Sequence, residues 1–87
     1  MKYEICVDAE VNEYLEKLKQ EDPALYSQLI NAMKKLKEHP QRFKQLKGKK
    51  HMYSLRSGKY RILYYIEEEY VNVMIIGHRK NVYKFKE

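Results

Sequence analysis

The chain has 87 residues, a formal net charge of +6 and a single cysteine. This length supports one domain with one modest core, so residues 1–87 are predicted to form a single unit. No apolar run approaches a membrane span, no signal peptide is recognised, and one cysteine cannot form an intramolecular disulfide, which favours a cytoplasmic location. One cysteine and three scattered histidines lack metal-ligand spacing, so no metal or other cofactor is expected.

The first predicted elements are a strand and a helix. Residues 2–7 alternate polar and apolar side chains, which is typical of a half-buried strand. Cys6 lies in this strand without a nearby histidine, and we expect its thiol to be buried and inert. Asp8 is suited to cap the helix that follows, in which apolar residues recur at helical spacing over 11–18.

A second helix is predicted to begin at Asp22-Pro23, an N-cap residue followed by proline at the first helical position. His39-Pro40 is expected to end it. A link of three or four residues between the helices predicts an antiparallel helix hairpin. The apolar stripe of this second helix contains Leu25, Leu29, Ala32, Met33 and Leu36.

Three strands are predicted in the second half of the chain, after a polar, basic loop at 41–51. Their order predicts an α+β domain of the form strand–helix–helix–strand–strand–strand. Its sheet is expected to be twisted and mainly antiparallel, with the helix hairpin packed on one face. The strands are predicted at 52–56, 60–66 and 70–76, with turns at 57–59 and 67–69.

The last two predicted strands carry apolar side chains on both faces. The odd-numbered residues from Val71 to Ile75 are expected to face one way, and Met74 and Ile76 the other. A sheet that is apolar on both faces needs cover on both. Since the helix hairpin covers one face, either the tail at 81–87 or a partner must cover the second, and we predict a partner protein.

Positive charge is concentrated in the middle of the chain. Residues 34–61 hold eleven basic side chains and one acidic one, whereas residues 1–33 are net acidic. A meander brings Arg56, Arg61 and the residues after the last strand to one edge of the sheet, which predicts an anion or phosphate site there. The structural alternative is a solvated lysine-rich helix end and loop, with each arginine in an ordinary ion pair.

Several residues near that edge are candidates for chemistry. The charge of Arg79 beside His78 favours a neutral imidazole, which suits a general base, although a strand-end histidine is often only a hydrogen-bonding surface residue. Tyr83 could stack on a base or donate a proton, or it could pack against the sheet. The candidate phosphate contacts are Lys47, Lys49, Lys50, His51, Lys59 and Lys80.

Three segments resemble the RelE/ParE superfamily of toxins from prokaryotic toxin–antitoxin pairs. They are LKG at 46–48, YxLRxGxYRIxY at 53–64 and HRKxVY at 78–83, and the element order and length are also similar. The RelE branch is the most similar. The resemblance implies a ribosome-dependent endoribonuclease that cleaves mRNA in the A site of the small subunit without a metal, and a RelB-like antitoxin that wraps the toxin.

The resemblance also implies roles for particular residues. Arg61 matches the arginine of the family's YR pair, Arg79 and Tyr83 match the arginine and tyrosine of the closing motif, and Arg56 matches a common basic strand position. With His78 as base, these residues would form the catalytic set. The RNA 2′-hydroxyl attacks its own 3′-phosphate while arginines stabilise the developing charge.

Met52 and Ser54 depart from the family pattern, because many RelE-like toxins have basic residues at these positions. The usual lysine general base is therefore missing. Either His78, His51 or Lys50 replaces it, or the nuclease is weak or inactive. Two alternatives stay open: a ParE-like toxin that poisons DNA gyrase without cutting nucleic acid, and a binding domain that has lost its activity.

Overall fold

The structure, a computed structural model, describes residues 2–46 and 51–78 and contains two α-helices and a five-stranded sheet in those ranges. The helices are α1 (Ala9–Glu21) and α2 (Pro23–Lys34), followed by two short 3-10 helices at Lys35–Lys37 and Pro40–Arg42. The strands are β1 (Glu4–Val7), β2 (Lys44–Gln45), β3 (Met52–Ser57), β4 (Tyr60–Glu67) and β5 (Tyr70–His78).

The sheet has the strand order β1-β5-β4-β3-β2. The pairs β5–β4, β4–β3 and β3–β2 are antiparallel, and β1 pairs with β5 in parallel. The prediction of a mainly antiparallel sheet in an α+β domain is therefore confirmed. Because parallel neighbours need a crossover connection, β1 reaches its partner only after the helix hairpin and the other three strands.

The helix hairpin is tighter than predicted, because Asp22 alone separates α1 from α2. Its backbone N–H donates to the Leu18 carbonyl at the end of α1, and its Oδ1 accepts from the N–H of Leu25 at 3.3 Å. One residue thus ends one helix and caps the next. Asp8 occupies the N-cap position of α1 as expected, but its side chain makes no capping hydrogen bond.

Both helices pack on one face of the sheet, as predicted, and this contact forms the main core. Leu15 and Leu29 of the hairpin and Leu36 of the 3-10 helix after it pack with apolar residues of β3, β4 and β5. Leu29, Leu36 and Ile62 are fully buried. The buried members of this cluster are Val11, Leu15, Leu29, Ala32, Met33, Leu36, Leu55, Ile62, Tyr64, Val71 and Val73.

The predicted loop at 41–51 is partly wrong, because it contains β2. Lys44 and Gln45 pair with Ser54 and Tyr53 of β3. Polar residues of low strand propensity gave no signal for this strand, which is held by backbone pairing with its neighbour. The next residue, Leu46, is buried, and its N–H donates to the Met52 carbonyl at 2.9 Å.

The predicted face assignment is wrong after Val73, because β5 contains a bulge. Leu63 pairs with Ile75 but the next residue, Tyr64, pairs with Val73, so Met74 is an extra residue. Ile75 therefore packs against Leu63 and Leu46 on the face away from the helices, hereafter the far face, and Ile76 packs in the main core.

Cys6 is exposed, which corrects the prediction of a buried thiol. Its neighbours Ile5 and Val7 pack against the main core, so strand alternation places Cys6 on the far face. There it lies opposite Asn72 of β5. The alternation itself was predicted correctly, but the far face at this edge of the sheet leaves the thiol accessible.

Candidate nucleic-acid interface

The β3–β4 hairpin positions the two arginines that the sequence singled out. Ser57 pairs with Tyr60, so the connection has two residues, and Gly58 at its first position has a φ of 60°. Glycine adopts this conformation without steric cost, which suits a tight hairpin turn. One step further along the strands, Arg56 lies directly opposite Arg61.

The turn is fastened to helix α2. Gln28 donates from Nε2 to both the carbonyl oxygen and the Oγ of Ser57, each at 3.1 Å. A Cβ added at Gly58 would lie 3.0 Å from the same Nε2, so this position also has little room for a side chain. Because Ser57 faces the helices, strand alternation places Arg56 and Arg61 on the far face.

Both guanidinium groups donate hydrogen bonds to neighbouring residues of β3 and of the turn. Arg61 is half-buried, and its Nη1 donates to Oγ of Ser54 at 3.1 Å. Ser54 is only 2% exposed and is the one buried polar residue among those described. Arg56 is exposed, and its Nε donates to the Gly58 carbonyl at 3.3 Å. These contacts restrict both arginines to a small region at the hairpin end of the sheet.

This arrangement favours an anion. Like charges directly opposite each other on neighbouring strands are destabilising. An anion between them would reverse that cost, and planar guanidinium groups bind phosphate oxygens through paired N–H donors. Lys59, in the same turn, is exposed and adds a further positive charge. The hairpin end is therefore suited to a phosphate group.

The structure does not bring His78 together with Arg56 and Arg61. His78 pairs with Tyr60, which packs in the main core, and the two rings meet edge-on with centroids 5.8 Å apart. Arg61 instead pairs with Gly77. His78 and Arg61 are thus at the same end of the sheet but on opposite faces, and the role of His78 as a base stays a prediction.

The remaining predicted contacts are only partly within the described residues. His51 is exposed, has a φ of 66°, and accepts a hydrogen bond at its carbonyl from the N–H of Ile66 at 3.0 Å. It precedes β3 at the strand end opposite to the arginines. The predictions for Lys47, Lys49, Lys50, Arg79, Lys80 and Tyr83, and for the cover by residues 81–87, fall outside the described residues.

Lys44 is a cation near the arginines that the sequence prediction missed. It lies opposite Ser54 in the β2–β3 pairing and so belongs to the far face. Because residues 41–51 were predicted as a loop, Lys44 could not be assigned to a face of the sheet from the sequence. The available signal was the alternation of Lys44 with the apolar residues Phe43 and Leu46.

A buried tyrosine holds the backbone that leads into β2. Tyr64 is fully buried, stacks on Tyr53 with ring centroids 5.6 Å apart, and donates its hydroxyl to the Pro40 carbonyl at 2.6 Å. Burial raises the pKa of Tyr64, and the nearby Tyr53 adds to the shift. Burial also raises the pKa of Tyr14, with a contribution from Tyr60. Both residues therefore stay neutral and structural.

Solved structures of RelE toxins share this fold. A protein in the crystal structure of the RelBE2 toxin–antitoxin complex from Mycobacterium tuberculosis is 26% identical, with 91% of this chain and 100% of that chain covered and a TM-score of 0.73. A free Escherichia coli RelE variant with two arginines replaced by alanine is 24% identical and has a TM-score of 0.79. The match covers 100% of this chain and 94% of that chain.

The same RelE variant in complex with a peptide of the antitoxin RelB is 21% identical and has a TM-score of 0.57. The match covers 100% of this chain and 96% of that chain. The two Escherichia coli structures establish the similarity of fold. No curated protein matches this sequence. The family model described as the ParE toxin of the type II toxin–antitoxin system parDE matches residues 8–83. The chain therefore belongs to the ParE toxin family, within the RelE/ParE superfamily of type II toxins.

Within the ranges 2–46 and 51–78, no group of three or more histidine, cysteine, aspartate or glutamate residues could hold a metal ion. No helix in these ranges is long and apolar enough to cross a membrane.

Proposed function

We propose that this toxin is a ribosome-dependent endoribonuclease that cleaves mRNA in the A site of the small subunit. The observation that carries the proposal is the opposed pair Arg56 and Arg61 on the far face, with Arg61 bound to the buried Ser54. A gyrase poison that binds without cutting nucleic acid has no need of opposed arginines that could hold a phosphate. The proposed endoribonuclease would act in the cytoplasm, where translating ribosomes are found.

In the proposed reaction the 2′-hydroxyl of the RNA attacks the adjacent phosphorus. A bond forms between O2′ and phosphorus, the bond from phosphorus to the 5′-oxygen breaks, and a base and an acid move one proton each. Arg56 and Arg61 stabilise the charge that develops on the phosphorane oxygens. Arg79 and Tyr83 are proposed to contribute a further cation and a stacking or proton-donating group. The sequence predicted His78 as the base, but its imidazole lies on the face opposite to Arg61, so the base is left unassigned.

An antitoxin is the proposed protein partner. The RelBE2 and RelE–RelB structures contain their own antitoxins. On this chain the far face combines half-buried apolar residues, Met52 and Ile75, with the exposed cation Arg56. A RelB-like segment with apolar and acidic side chains would cover the first two and neutralise the third, which would block the phosphate site directly.

The alternative function is inhibition of DNA gyrase. It is favoured by one specific finding, which is that the matching family model is that of ParE. ParE-type poisoning would need a surface that binds gyrase, and substitutions at Arg61 would alter it only through that contact. A supercoiling assay with purified gyrase therefore separates the two functions.

The test is a primer-extension assay of a defined message on stalled ribosomes. We expect discrete cuts at the A-site codon with the wild type, and none when ribosomes are omitted. Arg61→Ala should abolish the cuts, and Arg61→Lys should restore part of the activity if the variant lacks only charge. Lys17→Ala is the control, because Lys17 is an exposed cation of α1, which packs on the face of the sheet opposite to the arginines.

Each outcome of that assay decides between the functions. Cuts that require both the ribosome and Arg61 support the endoribonuclease. Cuts that persist in a folded Arg61→Ala protein remove the arginine pair from the mechanism. No cuts by the wild type under any condition, combined with loss of gyrase supercoiling, would replace the endoribonuclease with the gyrase poison.

A further inference from the structure

We propose that Lys44 is a third cation of the phosphate site, in direct contact with the phosphate that Arg56 and Arg61 hold. This inference rests on the proposed function, because it specifies which groups bind the RNA phosphate. Lys44 lies in the segment 41–51, which the sequence predicted to be a loop and which contains strand β2.

Strand register places Lys44 next to the arginine pair. Lys44 and Ser54 are directly opposite each other on β2 and β3. Directly opposed Cβ atoms are about 5 Å apart, and diagonal neighbours about 7–8 Å, so Arg56 is the diagonal neighbour of Lys44 on the same face. Ser54 also receives the hydrogen bond from Arg61, which makes it the common neighbour of all three cations.

The orientation of Lys44 is fixed by the residue two positions later. Leu46 is buried against Leu63 on the far face, and its N–H is bonded to Met52 at 2.9 Å. Because side chains alternate along a strand, Lys44 must lie on the same face as Leu46. The lysine is exposed, so its ammonium group is accessible to a ligand.

The three cations differ in what they offer a phosphate. Guanidinium groups present paired donors in a fixed plane, whereas an ammonium group is a compact charge on a flexible stem. Arg56 and Arg61 would orient two phosphate oxygens from β3 and β4, and Lys44 would approach from the side of β2. A single phosphodiester of single-stranded RNA is small enough to contact all three.

An edge lysine also has an ordinary structural explanation. Native proteins place lysine on edge strands to prevent pairing with other chains, and β2 is the outermost strand of this sheet. A lysine with that role alone would be replaceable by any charged residue without effect on phosphate binding. The two explanations therefore predict different results for the same variants.

The first experiment measures anion binding without the ribosome. Inorganic phosphate, and separately a dinucleotide with a 2′-deoxy group that prevents cleavage, are titrated into isotope-labelled protein at low salt and followed by NMR. We expect saturable shifts at Lys44, Ser54, Arg56 and Arg61 in the wild type. Lys44→Met should weaken the affinity about three- to tenfold, whereas Lys17→Met, an exposed lysine of α1, should not.

The second experiment measures single-turnover cleavage on programmed ribosomes with the same proteins. We expect Lys44→Met to cleave at least about tenfold more slowly than Lys17→Met, and Lys44→Arg to retain most of the rate, because arginine keeps the charge but cannot act as a base. If Lys44→Arg is as slow as Lys44→Met, the assignment of Lys44 as a charge contact is overturned.

The two experiments separate failure of this inference from failure of the proposed function. Phosphate binding that depends on Lys44, in a protein that never cleaves RNA, leaves the contact established and removes the endoribonuclease. Phosphate shifts at Arg56 and Arg61 that are unaffected by Lys44→Met remove Lys44 from the site, whatever the cleavage rate.

Discussion

Arg56 and Arg61 are directly opposite each other on strands β3 and β4, and Arg61 donates a hydrogen bond to Ser54. A pair of opposed cations is an unfavourable choice for sheet stability. The face of the same hairpin that packs on the helices is stabilised, because Gln28 donates hydrogen bonds to the carbonyl oxygen and the hydroxyl of Ser57. The far face thus places two positive charges side by side at the position where the phosphate is proposed to bind.

Arg56→Gln should therefore make the protein more stable while it weakens the proposed cleavage. Removing one of two opposed cations should raise the free energy of unfolding by about 0.5 kcal/mol at low salt. Urea unfolding measures the change. The difference should shrink in concentrated salt, where charges on the surface are screened.

Lys17→Gln is the control for this stability measurement, because it removes the same charge from an exposed position on α1, which packs on the other face of the sheet. A stability gain of equal size in both variants would show that net charge, and not the opposed pair, sets the cost. Loss of stability in Arg56→Gln would show that the hydrogen bond to Gly58 outweighs the repulsion.

Tyr64→Phe should destabilise the fold by about 1–3 kcal/mol, because it leaves the carbonyl of Pro40 without its partner in a buried site. Thermal or urea unfolding would measure the loss. Tyr70→Phe, at a tyrosine that is 39% exposed, should have almost no effect. Equal losses in the two variants would mean that the Tyr64 hydroxyl contributes nothing specific.

Alkaline pH should weaken the wild type more than Tyr64→Phe. Burial raises the pKa of Tyr64 above its value of about 10 in an unfolded chain. The contribution of its neutral hydroxyl is complete below that pH and is lost as the pH rises further, since only the unfolded state ionises there. The difference in unfolding free energy between the wild type and Tyr64→Phe should therefore be smaller at about pH 11 than at about pH 8. A constant difference would contradict this.

Glu68→Gly should stabilise the β4–β5 turn. Glu68 has a φ of 55°, in the left-handed region that is unfavourable for residues with a Cβ. After the greater flexibility of glycine in the unfolded chain is subtracted, we expect a gain of about 0.5 kcal/mol. Glu69→Gly in the same turn lacks a positive φ and should reduce stability. A gain in both variants would attribute the effect to lost negative charge.

His78→Ala should leave cleavage on ribosomes within about twofold of the wild type, because the imidazole contacts Tyr60 on the face opposite to Arg61. A single-turnover cleavage assay measures this. A general base would cost about a hundredfold or more when removed. A loss of that size would return His78 to the catalytic set and would require the RNA to reach around the end of the sheet.

Local sequence signals were sufficient for most of the fold. The proline after Asp22, the apolar stripe of α2 and the glycine turn before β4 each specify one element, and the element order specified the helix hairpin on one sheet face. The errors concern features that depend on a partner strand. β2 exists because β3 pairs with it, and the bulge at Met74 arises from the register between β4 and β5.

The candidate site was predictable to the same extent. The opposition of Arg56 and Arg61 follows from a two-residue turn, which the sequence indicates. The face of His78 depends on the register at the end of β5, and the face of Lys44 depends on a strand that was not predicted. Residues placed by one hairpin could be grouped from sequence, whereas residues placed by a third strand could not.

The parallel pairing of β1 with β5 has a consequence for synthesis of the toxin. Residues 4–7 have no strand partner until residues 70–73 have been made, and the same β5 flanks the strand that carries Arg61. Contacts so distant in sequence form late and slow the folding of a chain. The complete five-stranded sheet can therefore close only after the chain has been synthesised past residue 73.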